Sequence, residues 1–86
     1  MSQTLEDRLR AAGVRPSAQR MAVAQYVLTT DEHPSAEQVH TRVTEKFPFL
    51  SRATVYNTLN LFVKEGLLRQ LVLAEGSVVF DPKLER

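Results

Sequence analysis

The chain of 86 residues contains no cysteine, which excludes disulfides and cysteine-ligated metal sites within it. It also lacks any apolar run near the length of a membrane span or a secretory signal, so the cytoplasm is the expected location. No glycine-rich phosphate loop is present, and His33, His40 and Asp81 make no nucleophile–base–orienter set, which leaves an enzyme as the least expected class. There is no internal repeat and no low-complexity stretch. Net charge is scarce too, at +1. That is not the footprint of a strong nucleic-acid binder, so a basic face would have to come from distribution. Arg8, Arg10, Arg15 and Arg20 fall in the first quarter against Glu6 and Asp7, whereas Asp31, Glu32 and Glu37 gather around one loop.

What is present is ordinary for a globular protein: 43% hydrophobic and 24% charged residues, in a length that supports one small domain with a modest core. The most informative stretch runs from Ser51 to Gly66. Ser51 suits an N-cap, whose side-chain oxygen accepts an orphan amide proton, and Gly66 suits the left-handed residue that ends a helix. Val55, Leu59, Phe62 and Val63 recur at helical spacing on one side, while Ala53, Tyr56, Asn57, Asn60 and Lys64 project on the opposite arc. A hydroxylated ring, two amides, a cation and Arg52 in the first turn supply the chemistry needed for base edges and phosphates in a major groove. The same residues also suit a solvated helix face, with Tyr56 as a boundary tyrosine whose ring is half buried and whose hydroxyl is wet.

Thr4 is placed to cap a first helix over about residues 5–12, with Leu5 and Leu9 on its apolar side and Gly13 as the stop. Val14-Arg15-Pro16 follows as an extended connector, because the residue before a proline is pushed out of the helical region. Ser17 caps a second helix over about 18–28, with Met21, Ala24, Val27 and Leu28 as its core stripe. Ser35 and Gln38 form a capping box for a third helix over about 36–46 that buries Val39, Val43 and Phe47, and Pro48 ends it. A short turn then leads to Ser51, as in a helix-turn-helix. Past Gly66 the pattern predicts strands over 67–73 and 78–80 joined by an Ala74–Ser77 turn. The predicted fold is therefore mainly α with a small β-hairpin: a winged helix-turn-helix of four helices and a two-stranded antiparallel wing, filling residues 1–86 as a single domain.

Four stretches carry a family resemblance: Gly13-Val14-Arg15-Pro16-Ser17-Ala18-Gln19-Arg20, His33-Pro34-Ser35-Ala36-Glu37, Ser51-Arg52-Ala53-Thr54-Val55-Tyr56-Asn57-Thr58-Leu59 and Glu65-Gly66-Leu67. In order and separation they resemble the ferric uptake regulator superfamily of bacterial metal- and peroxide-responsive repressors. The resemblance implies a winged domain that binds A·T-rich inverted repeats in double-stranded DNA as part of a homodimer. It implies that Tyr56 packs on thymine methyls, that Asn57 faces bases or phosphates and that Arg15 enters the minor groove. Asn57, where iron-responsive members mostly carry arginine, and the Lys46-Phe47-Pro48 turn look more like the peroxide-responsive branch. The residue chemistry agrees: asparagine can bond two atoms of an adenine, Ser51, Arg52 and Thr54 at a helix start suit phosphate oxygens, and a narrow A·T-rich groove attracts arginine. Arg20 either touches phosphate or packs its stem on the second helix with its guanidinium on an acid.

The resemblance also implies that His33 and Asp81, the latter after the second strand, belong to a regulatory iron or manganese site. Full-length members often add a structural zinc, and the remaining ligands would lie in a hinge and a C-terminal dimerisation and sensing domain. That domain is expected to be absent from these 86 residues, which are therefore expected to be monomeric and to hold no metal of their own, since two ligands are too few for a closed site. His40 is expected at the surface. The leading expectation is the operator-reading domain of a transcription repressor, with no membrane partner; the alternative is a winged-helix module that binds protein through the same polar helix.

Overall fold

The computed structural model describes residues 3–82. It contains α1 (Leu5–Ala11), α2 (Ala18–Val27), α3 (Ala36–Lys46) and α4 (Arg52–Lys64), followed by β1 (Leu68–Val72) and β2 (Val78–Pro82). Each helix starts where a short polar side chain answers its first turn. Ser17 and Ser51 accept from the amides of Arg20 and Thr54 at 3.2 and 3.1 Å, which satisfies donors that have no partner inside the helix. Ser35 and Gln38 exchange reciprocal bonds of 3.1 and 2.8 Å. Thr4 forms the same box with Asp7, at 3.0 and 3.3 Å, a partner that the sequence reading did not assign.

The helix ends explain the small differences from the predicted bounds. Helix α1 stops at Ala11 and α2 at Val27, one residue early, because Ala12 and Leu28 serve as C-caps. At the end of α4 the chain turns through Gly66 at φ +83°, a conformation that costs residues with a Cβ. The amide of Gly66 then reaches the Val63 carbonyl at 3.1 Å and that of Leu67 the Phe62 carbonyl at 2.8 Å. These two bonds are the Schellman pattern. They also explain why Leu67 belongs to the helix end and β1 begins one residue later than expected.

A single cluster of apolar residues joins the elements. Leu9, Val23, Val27, Val39, Val55 and Phe62 are fully buried, and Leu59 nearly so, so every helix contributes a stripe to it. Of the residues expected in these stripes, Leu5, Met21, Phe47 and Val63 are only partly buried, whereas Ala22 and Val23 of α2 are buried without having been expected there. Leu50 is buried in the turn between α3 and α4 while its neighbour Phe49 is 61% exposed. Thr58, also buried, satisfies its hydroxyl on the Thr54 carbonyl at 2.7 Å. Among the described residues no buried side-chain polar atom lacks a partner.

The two strands pair antiparallel from Leu68 opposite Pro82 to Val72 opposite Val78. Cross-strand partners share a face, so Leu68, Phe80 and Pro82 bury the base of the wing while Val72, further out on that face, is 71% exposed. The base is anchored and the tip projects. Strand β2 runs to Pro82 rather than ending at Phe80, which places Asp81 inside the strand opposite Arg69 instead of after it. The order of four helices and a two-stranded antiparallel hairpin is the winged helix-turn-helix that the sequence predicted.

Candidate nucleic-acid interface

The apolar back of α4 fixes which way its other side faces. With Val55, Leu59 and Phe62 in the core, Ala53, Asn57, Asn60 and Lys64 are exposed. Tyr56 is intermediate: its ring packs against the edge of the core, and its hydroxyl reaches out. At the start of the helix Ser51 Oγ donates to Thr54 Oγ1 at 2.9 Å while accepting the Thr54 amide. The cap thus occupies Ser51, and the Thr54 hydroxyl keeps its own proton to donate.

The first turn of α4 does not stand alone. Arg52 donates through both terminal nitrogens to Glu37 of α3, at 2.7 and 3.1 Å. The same Nη1 donates to the Tyr56 hydroxyl at 3.1 Å, and that hydroxyl donates to Glu37 Oε1 at 3.3 Å. The guanidinium also overlies the Tyr56 ring, 5.7 Å from its centroid. The hydrogen bond and charge of Arg52 hold the Glu37 carboxyl below its ordinary value, and Glu37 in turn raises the guanidinium. Acidic and basic groups that lie apart along the sequence therefore meet at this helix, and Glu37 contacts two candidate site residues, Arg52 and Tyr56, without having been singled out from sequence. The available signal was a carboxylate in the first turn of α3, the helix joined by a short turn to the one that Arg52 begins.

Arg15 is exposed in the connector before α2, and its carbonyl accepts from Arg20 Nη1 at 2.9 Å. The partner of the Arg20 guanidinium is therefore a backbone oxygen rather than the acid considered from sequence. A cleft of about 330 Å³ separates the start of α2 from α4, lined by Gln19, Arg20, Thr54, Asn57, Thr58 and Leu61. Gln19 joins the polar rim without having been singled out from sequence. Arg20, Thr54 and Asn57 are thus brought to one concavity, with Tyr56 and Arg52 on the adjoining turn.

His33 and Asp81 are brought together elsewhere. His33 takes φ +55°, a left-handed conformation that costs a non-glycine residue about 1–2 kcal/mol. In it, Nε2 lies 3.2 Å from Asp81 Oδ1. The loop histidine and the strand aspartate are therefore in direct contact. The other Asp81 oxygen is bonded by Arg69. Two donors, one of them already carrying a guanidinium, do not by themselves fit a closed coordination sphere, and among the described residues no group of three or more possible ligands occurs. His40 is intermediate in exposure rather than fully at the surface.

A core-anchored helix with a polar outer face, preceded by a capped helix and a tight turn and flanked by a hairpin, defines a winged helix-turn-helix domain. Within that class the chain belongs to the ferric uptake regulator family, whose model matches residues 11–86. The peroxide-responsive repressor PerR of Staphylococcus epidermidis is 38% identical over 73 residues, 85% of this chain and 49% of that protein. The chain spans about half the length of the curated relatives it matches. Among solved structures, a manganese uptake regulator superposes with a TM-score of 0.87 at 26% identity, over 100% of this chain and 63% of that one. PerR from Streptococcus pyogenes, a structure described in terms of peroxide sensing and gene regulation, gives 0.75 at 32% identity, over 88% and 52%. No helix among the described residues is long and apolar enough to cross a membrane.

Proposed function

We propose that residues 1–86 form the operator-reading domain of a metal- or peroxide-responsive bacterial transcription repressor, with α4 inserted in the major groove of an A·T-rich inverted repeat. The observation that carries this reading is the division of α4: an aliphatic back fixed in the core, and a face on which Tyr56 and Asn57 adjoin the cleft that holds Arg20 and Thr54. Membership of a repressor-containing family supports it. The Tyr56 ring offers apolar area to a thymine methyl, and Asn57 can pair with adenine. Thr54 and Arg20 donate to phosphates, Arg52 and the capped Ser51 border them, and Arg15 reaches a narrow minor groove from the connector that Arg20 holds.

Dimerisation and sensing are assigned to sequence outside this domain, so two copies of the 86 residues acting alone occupy the two half-sites nearly independently. The Asn57 position and the identity to peroxide-responsive repressors favour the peroxide branch. Within this chain His33 and Asp81 are proposed as partial contributors to the regulatory iron or manganese site, and no step in DNA reading runs through them. The test is selection of duplexes from a randomised pool by the 86-residue chain. Enrichment of A·T-rich half-sites is expected. A pool that stays random rejects the reading in favour of a protein-binding module, and enrichment that survives Tyr56→Ala unchanged rejects the role given to Tyr56.

A further inference from the structure

The first turn of a helix that enters a groove is the natural place for a cation that meets phosphate. Arg52 occupies that place, yet both its terminal nitrogens are committed to Glu37. The Tyr56 hydroxyl is committed as well, accepting from Arg52 and giving its proton to Glu37. Glu37 suits the dipole of α3 from its place in the first turn whether or not it meets Arg52, so that role does not require the pairing. The Arg52 and Glu37 side chains are 54% and 63% exposed, so the pair adds little to stability. Nor is Glu37 needed to cap α3, because Ser35 and Gln38 already exchange both capping bonds.

Its effect falls instead on what a duplex would meet. Phosphate contacts strengthen binding to every sequence alike, whereas contacts to base edges discriminate between sequences. A carboxylate that neutralises one surface cation and ties down one phosphate-directed hydroxyl lowers the first contribution and leaves the second. We propose that Glu37 sets the sequence discrimination of this domain, by withholding Arg52 and the Tyr56 hydroxyl from phosphates so that the Tyr56 ring and Asn57 dominate recognition. This rests on the DNA-reading function proposed above. Glu37 acts through Arg52 and Tyr56 and is a positioning residue.

The experiment is a salt titration of binding by the 86-residue chain to an A·T-rich inverted-repeat duplex and to a scrambled duplex of the same composition. It compares the unsubstituted chain with Glu37→Gln, Arg52→Ala and the double variant. Glu37→Gln is expected to bind the scrambled duplex several-fold more tightly at low salt. Its slope of log affinity against log salt should steepen by about 0.9, the signature of one further phosphate contact, and its preference for the repeat should fall. The double variant is expected to return to the unsubstituted slope, which a folding defect could not produce. A Glu37→Gln slope that is unchanged or shallower, with the preference intact, overturns the role of Glu37 while leaving DNA reading in place. An unsubstituted chain without preference for the repeat overturns both.

Discussion

Two clusters in this domain use the same three residue types and arrange them differently. In one, Arg52 is the hub: it bonds both oxygens of Glu37 and the hydroxyl of Tyr56. In the other, Glu32 is the hub: Tyr26 donates to its Oε1 at 2.9 Å, and Arg42 stands 3.8 Å from its Oε2, beyond hydrogen-bond reach. Both arginines overlie their tyrosine ring, at 5.7 and 5.8 Å from the centroids, so stacking does not distinguish them. The partner of the carboxylate does. Where arginine takes it, the carboxyl is held acidic. Where tyrosine takes it, burial, the hydrogen bond and the negative charge push the phenol up from 10.0. One cluster commits its cation to a surface carboxylate, whereas in the other the guanidinium has no acceptor within hydrogen-bond reach among the described residues.

The broadest way to disturb the comparison is to remove the core that supports the α4 cluster. Phe62→Ala should cost about 3–5 kcal/mol by chemical denaturation, since a fully buried ring is replaced by a cavity. Tyr56→Ala should then separate the clusters functionally, weakening binding to the selected repeat by about 1–3 kcal/mol in a fluorescence titration. Tyr26→Phe should leave that affinity unchanged, and an equal loss in both variants would erase the distinction. A finer contrast lies in salt dependence: Arg15→Ala should make the slope shallower by about 0.9, whereas Arg42→Ala should not alter it.

The smallest effects are in protonation. In a Tyr56→Phe background Tyr26 is the remaining tyrosine, and its ultraviolet absorbance should titrate with a midpoint above 10.0. Because the folded value is raised, its contribution to stability is present below the unfolded value and lost as pH rises through the folded one. Glu37 has the opposite sign. Its folded value is lowered by Arg52, helped by the Tyr56 hydroxyl and His40, so its contribution is present above the unfolded value of about 4.5 and lost as pH falls through the folded one. Carbon-detected NMR should place the Glu37 midpoint below 4.5, and Arg52→Ala should return it to the ordinary carboxylate range.

The helices were legible because their signals are local. A capping serine and its amide partner lie three residues apart, and the stripe formed by Val55, Leu59 and Phe62 follows directly from the helical period. The division of α4 into a buried and an exposed side followed from the same count. The contacts that qualify the interface were not legible, because they depend on how helices pack. Glu37 and Arg52 are 15 residues apart, and only the crossing of α3 and α4 brings their first turns together. Hairpin register is equally nonlocal: Pro82 reads as a strand breaker in isolation, yet it closes the ladder opposite Leu68. That one pairing moved Asp81 into the strand and gave it Arg69 as a neighbour.

The amide of Phe80 donates to the Pro34 carbonyl at 2.9 Å, tying the return strand of the hairpin to the residue immediately before the cap of α3. Any tug on that strand is therefore felt at Pro34, three residues before the carboxylate that grips Arg52. Beside the direct packing of β1 on α4, this bond gives the wing a second route of mechanical coupling to the helix that carries Tyr56, by way of α3.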